Sequence, residues 1–347
     1  MITHNPPGSS APRPAPRRSP HPAPCTPHPE VRYMQSLIGL QMDGPLLGEA
    51  AALMASVLWT FTSLAFTVAS RKIGPFSVNM WRMLFAIGLL SVSHIVILGT
   101  LVPRASDSQW MWLGLSGIVG LAIGDLGYLG TLMIIGPRRG TLLMATNPIF
   151  STLLGVFMLG EVLSPWALSG ITVTLLGVAV VILEREENSS EAPLTPKQKA
   201  LGVFAGVIGS VGQGVGLVLS RYGMVYVVPD DPLDPLSAAL MRMLAASAFF
   251  FVAVVLMGRL GRMGKALGDR KGMGATFAGT VVGPFLGVWV SMVAVSLADA
   301  GVAATLMSLM PVFVIPVVYV LYRQKTSWRG VLGAIIAFTG VAILMLL

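Results

Sequence analysis

The 347-residue sequence holds one cysteine, Cys25. An internal disulfide and any cysteine-based metal cluster are therefore excluded. Charge is also scarce. Asp, Glu, Lys and Arg make up 11% of the chain, against about 25% in a typical soluble domain. Motifs that bind nucleotides or catalytic metals are missing too. No G-x-x-x-x-G-K-[ST] run occurs, and Gly264-Lys265-Ala266 lacks both the upstream glycine and the hydroxyl. ATP is therefore not expected as the energy source within this chain. Neither HExxH nor GxSxG nor a potassium-filter sequence is present. No cofactor and no metal are expected.

What is abundant is apolar. Hydrophobic residues make up 54% of the chain, and the mean hydropathy is +0.77. This balance excludes an ordinary soluble enzyme and a disordered protein. The net charge of +8 does not make a nucleic-acid binder, because it is spread between apolar blocks rather than gathered on one face. A polytopic membrane protein is the class that fits, and the lipid bilayer is its first partner.

Residues 1–44 differ from the rest. Ten prolines fall between Pro6 and Pro29, mixed with arginines and histidines. Such a composition builds no packed core and reads as a disordered, partly polyproline-like tail. No apolar run stands behind its arginines, so it is not read as a signal peptide.

A membrane helix needs roughly 20 apolar residues. Ten such runs follow: 46–69, 76–98, 110–133, 138–159, 164–183, 200–222, 236–257, 274–297, 300–321 and 328–346. Charged, Pro- or Gly-bearing breaks separate most of them, among them Gly74-Pro75, Pro137-Arg138-Arg139 and Glu161. The connections leave no room for a soluble catalytic domain.

The chain repeats itself. Residues 164–183 read SPWALSGITVTLLGVAVVIL, and residues 327–346 read SWRGVLGAIIAFTGVAILML. At an offset of 163, Gly170 meets Gly333, Gly177 meets Gly340, and Pro148 meets Pro311. Arg82-Met83-Leu84 aligns with Arg242-Met243-Leu244 at an offset of 160. The expected fold is an all-α polytopic membrane protein with ten transmembrane helices as two inverted five-helix repeats. A unit of five spans crosses the membrane an odd number of times, so its second copy must run the opposite way. Inverted repeats are common in secondary transporters, whose substrate site lies near the midplane between repeats. The expected organisation is a tail over 1–44, a first repeat over 45–183, a charged linker over 184–199 and a second repeat over 200–347.

Asn147-Pro148, Leu159-Gly160-Glu161, Gly170 and Gly177-Val178, in that order, resemble the end of an EamA-type unit of the drug/metabolite transporter superfamily. Pro311, Gly333 and Gly340-Val341 resemble the same end in a second unit, and Trp59 and Arg82 also fit. The resemblance covers roughly residues 46–347. It implies a ten-helix carrier, often an exporter, of small metabolites, amino acids or drugs. A bacterial plasma membrane and a monomer are the expected setting. The second unit departs by carrying Gln324-Lys325 where the pattern has Gly-Glu.

Several residues are candidates for the work of such a carrier. Arg82, Asp125 and Arg242 are charges inside apolar spans. At a helix centre each costs roughly 2.5–3.5 kcal/mol by insertion scales, so pairing, snorkelling or contact with water is expected. Asp125 has too short a side chain to reach the interface. It reads either as a proton-coupling group or as a structural one, paired with Arg82 or hydrogen-bonded to Ser or Thr. Trp59, Asn79, Tyr128, Asn147, Gln213, Trp289 and Ser291 are polar or aromatic residues at mid-span that could line a substrate cavity. Pro148 and Pro311 are a symmetric pair of candidate hinges. His94 reads as a hydrogen-bonded core histidine.

Orientation is left open, since the Lys/Arg distribution favours both termini outside and the resemblance implies both inside. Other functions also stay open. One is exchange of phosphorylated metabolites or nucleotide sugars, which would use Arg82 and Arg242. Others are an intramembrane enzyme and a non-transporting membrane protein.

Overall fold

The computed structural model describes residues 44–184, 194–256, 258, 261, 264, 266–322 and 328–346. The Pro-rich tail with Cys25, most of the charged linker and the Gln324-Lys325 pair lie outside the described residues. Among the described residues ten helices are long and apolar enough to cross a membrane: α1 Gly44–Ile73, α2 Pro75–Leu98, α3 Asp107–Gly136, α4 Gly140–Leu159, α5 Pro165–Leu183, α6 Pro196–Tyr226, α7 Pro235–Leu256, α8 Arg270–Leu297, α9 Ala300–Val317 and α10 Trp328–Leu346. Among the described residues there is no strand.

Two expected boundaries move. Gly44 is already helical, so the tail is shorter than 1–44. The linker is shorter than 184–199, because the helix of the fifth span runs one residue on, to Glu184, and Pro196 already opens α6. The cause at Pro196 is local. Thr195 accepts the Gln198 N–H at 3.3 Å, and the Gln198 side chain accepts the Thr195 N–H at 3.0 Å. This reciprocal cap satisfies two of the free donors at the helix start.

Caps also obey the repeat. Ser106 caps α3 by accepting the Gln109 N–H at 3.3 Å, and Asp269 caps α8 by accepting the Gly272 N–H at 2.8 Å. The two caps are 163 residues apart. Inside α3 and α8 the helix widens to a π-helical segment over Gly117–Gly124 and Val281–Gly287, again at equivalent places. Such widened turns recur at functional sites.

The helices pack through glycines, and the pairing shows their direction. A side-chain carbon on Gly170 would stand 3.0 Å from the Gly340 carbonyl, and one on Gly177 would stand 2.7 Å from that of Gly333. Residue numbers rise on α5 as they fall on α10, so the two repeat-equivalent helices are antiparallel. That is the inversion that an odd span count requires. The same crossing pattern joins α3 to α6, where Gly120 meets Gly216, Gly124 meets Gly212 and Gly127 meets Gly209. Its repeat counterpart joins α8 to α1, with Gly279, Gly283 and Gly287 against Phe66, Thr62 and Trp59. Small residues let these backbones meet.

Pro148 and Pro311 do not kink continuous helices. In α4 the helix stops at Met144 and resumes at Asn147. In α9 it stops at Met307 and resumes at Met310. Each proline sits in the first turn of the resumed segment, where its missing N–H has no helical partner to lose. The breaks at 145–146 and 308–309 are repeat-equivalent.

Candidate functional site

Arg82 is the eighth residue of α2 and Arg242 the eighth of α7. The two helices start from opposite faces of the membrane, so the arginines enter the bundle from opposite sides. Asp125 is the nineteenth of thirty residues in α3, far from either end. Asp125 directly follows the widened segment of α3, whose glycines admit the neighbours. A side-chain carbon on Gly120 would stand 3.3 Å from Arg242 Nη2, and one on Gly124 would stand 3.4 Å from Gln213 Cγ.

The Arg82 guanidinium is paired with Asp125 Oδ2. Its Nε donates to Asn79 Oδ1 at 2.6 Å, and its Cζ lies 5.9 Å from the centre of the Phe66 ring. Asp125 Oδ1 accepts from Gln213 Nε2 at 2.7 Å. Both carboxylate oxygens are thus engaged, one within the first repeat and one by the second. Arg82 and Asp125 keep 21% and 17% of their side-chain surface open, whereas Arg242 is only 2% exposed. Arg242 Nη1 donates to Met292 Sδ at 3.1 Å, and its Nε has no hydrogen-bond partner. The charge of Asp125 reaches Arg242, but the two do not form an ion pair among the described contacts.

The structure therefore gathers Asn79, Arg82, Asp125, Gln213 and Arg242 from α2, α3, α6 and α7. Tyr128 is one turn beyond Asp125 on the same helix, and it is half-buried. Other candidates stand elsewhere. Ser291 turns back onto its own helix, donating to the Val288 carbonyl at 2.7 Å. Trp289 packs on Phe285 with ring centres 6.1 Å apart, and Trp59 packs on Gly287. Asn147 lies at the α4 break, its Oδ1 buried and without a partner. His94 is buried and bonded at both nitrogens, to the Thr100 carbonyl at 2.5 Å and to Ser237 Oγ at 3.0 Å. It is not part of the charged group.

Sequence reasoning misses Met292 and Phe66, which carry no polar signal. It also leaves a second charged group unassembled. Glu161 after α4, Arg221 on α6 and Asp299 before α9 meet at one membrane face. Arg221 Nε lies 3.1 Å from Glu161 Oε1, and its Nη2 lies 3.4 Å from Asp299 Oδ1. Glu161 Oε1 also accepts the Ala300 N–H at 3.0 Å. Burial lifts the Glu161 carboxyl above its ordinary range, against the pull of Arg221 and this N–H. Span parity is the signal that could find the group, since all three residues fall on the same side. An open apolar groove of about 430 Å³ runs elsewhere, between α4 and α5, lined by Leu142, Ala145, Thr146, Ile149, Leu168 and Leu175.

The profile of the EamA-like transporter family matches residues 46–183 and again residues 200–346. Comparison with functionally curated proteins gives no match. Among solved structures, one crystal structure of a protein is similar with a TM-score of 0.66 and 18% sequence identity, covering 85% of this chain and 95% of that one. That likeness is one of fold.

Proposed function

Since the chain belongs to the EamA-like transporter family, we propose that this multi-pass membrane transporter is a secondary active carrier working by alternating access. It exports small metabolites, amino acids or drugs across a bacterial plasma membrane. The observation that carries this reading is the charged group deep in the bundle, built from both repeats. Asp125 takes Arg82 from its own repeat and Gln213 from the other. A relative movement of the repeats must therefore change the partners of this one carboxylate. The repeat-equivalent breaks in α4 and α9 support the reading, because interrupted helices at matching positions mark binding regions in transporters.

Asp125 couples the cycle to protons in this proposal. When the repeats move, Arg82 leaves the carboxylate, and a proton takes the place of the guanidinium in the cycle. In proteoliposomes, Asp125→Asn should lower proton-driven uptake by about tenfold or more, at 1.4 kcal/mol per decade for a lost buried partner. Substrate exchange without a gradient should fall less. Proton-driven transport left intact by this change would overturn the coupling role.

One observation favours the second reading, exchange of phosphorylated metabolites: two guanidiniums stand near a single carboxylate. The enzyme reading gains nothing from the site, since His94 and Asp125 are not assembled as an acid–base pair.

A further inference from the structure

We infer that the central site takes an organic monoanion whose carboxylate is held by Arg242 while Asp125 stays with Arg82. This inference names the cargo class of the carrier proposed above and rests on that reading.

Arg82, Arg242 and Asp125 together carry one positive charge in excess. Arginine keeps its charge at any accessible pH. Asp125 takes Arg82 on one oxygen and Gln213 on the other, and makes no described hydrogen bond to Arg242. Arg242 is then left with a thioether, which is a weak acceptor, and with an Nε that bonds nothing. It cannot relieve this by reaching for the membrane surface. The residue is 2% exposed and its guanidinium lies against α3, where a side-chain carbon on Gly120 would stand 3.3 Å from Arg242 Nη2. A buried cation with so little compensation favours an incoming anion. The guanidinium fork matches a carboxylate in two parallel hydrogen bonds.

The surroundings favour an apolar body on that carboxylate. Trp289 precedes Met292 by three residues, so the two share a face of α8. Phe285 packs on Trp289 one turn further back. A cation finds no free carboxylate here. A phosphate dianion would leave one negative charge in excess beside Asp125.

Binding to the purified full chain tests the inference without requiring transport. Benzoate, benzamide, benzylamine and phenyl phosphate serve as probes in titration calorimetry. Benzoate should bind at least about tenfold more tightly than the other three, the order expected of a charge-assisted bidentate pair. Arg242→Gln should lose about tenfold in benzoate affinity, and Arg242→Lys, which keeps the charge but not the fork, should lose less. Asp125→Asn raises the local excess to two charges, so benzoate should bind more tightly and phenyl phosphate should gain most. This opposite-signed variant keeps the test decisive if Arg242→Gln does not fold. Benzamide or phenyl phosphate matching benzoate on the wild type, or Asp125→Asn weakening benzoate, would overturn the inference. Proteoliposome uptake of benzoate then separates the two readings. Selective binding without uptake upholds the charge argument and counts against the carrier reading for this class of cargo.

Discussion

Arg82 and Arg242 hold the same position in repeat-related helices, yet their surroundings differ. Arg82 has a carboxylate, an amide oxygen and an aromatic face. Arg242 has a sulfur atom. The difference lies in α3 and α8. Asp125 has Val288 as its repeat equivalent, so one repeat supplies a counter-charge and the other does not. A charge inside an apolar run announces itself in the sequence, and Arg82, Asp125 and Arg242 are legible for that reason. Which arginine the carboxylate selects is not legible, because it depends on how α2, α3 and α7 are placed in space. Glu161 makes the same point. Its ion pair needs Arg221, sixty residues later in the sequence. Its raised pKa fixes a sign. A carboxyl whose folded pKa is raised contributes most stability when protonated and loses it as pH rises through that pKa. The melting temperature of the wild type should therefore fall relative to Glu161→Gln as pH rises from about 5 to about 8. A gap that stays constant across that range would count against the burial of Glu161 as a strained charge.

At the scale of helices, glycine decides how closely the repeats approach. A side-chain carbon on Gly177 would come within 2.3 Å of the Ala337 backbone nitrogen, whereas one on Gly88 of α2 would meet nothing within 4 Å. Gly177→Ala must push α5 from α10, and overpacking of this kind costs about 1–3 kcal/mol. Gly88→Ala should instead be neutral or stabilise by up to about 1 kcal/mol, since alanine loses less freedom in a helix. Melting curves of the two purified variants should move in opposite directions or by clearly different amounts. Equal shifts would contradict the close approach. The glycine spacing is visible in the sequence, but the partner of each glycine is not. The helix breaks behave similarly. The prolines at 148 and 311 mark the places, and the structure shows interruptions two residues before them where a continuous kinked helix is the simpler expectation.

The whole molecule is an inverted duplication, and its faces can be labelled. With ten spans, residues 101 and 162 lie on one side of the membrane and residue 197 on the other. Hydrogen bonding agrees, since Gln109 at the start of α3 donates to the Asp231 carbonyl between α6 and α7 at 3.5 Å. In a chain freed of its one cysteine by Cys25→Ser, Leu101→Cys and Val162→Cys should react with a membrane-impermeant maleimide from the same face. Lys197→Cys should react from the opposite face. Labelling of all three from one side would refute the span count. The absolute direction of the labelling also settles which face the basic loops occupy.

The sequence by itself determines the membrane setting, the ten spans, the duplication and therefore the inversion. These follow from local and additive properties: apolar run length, charge at run ends, and the parity of five. It also marks the charges that must have a use, because a charge in hydrocarbon is costly wherever it stands. Only the tertiary structure decides how the charges are shared. Gln213 and Arg82 converge on Asp125 because α3 packs on α6 through glycines and the long Arg82 side chain reaches it from α2, and no spacing rule within one helix contains that geometry. The spare positive charge at Arg242 is likewise a property of three helices meeting, not of any one of them.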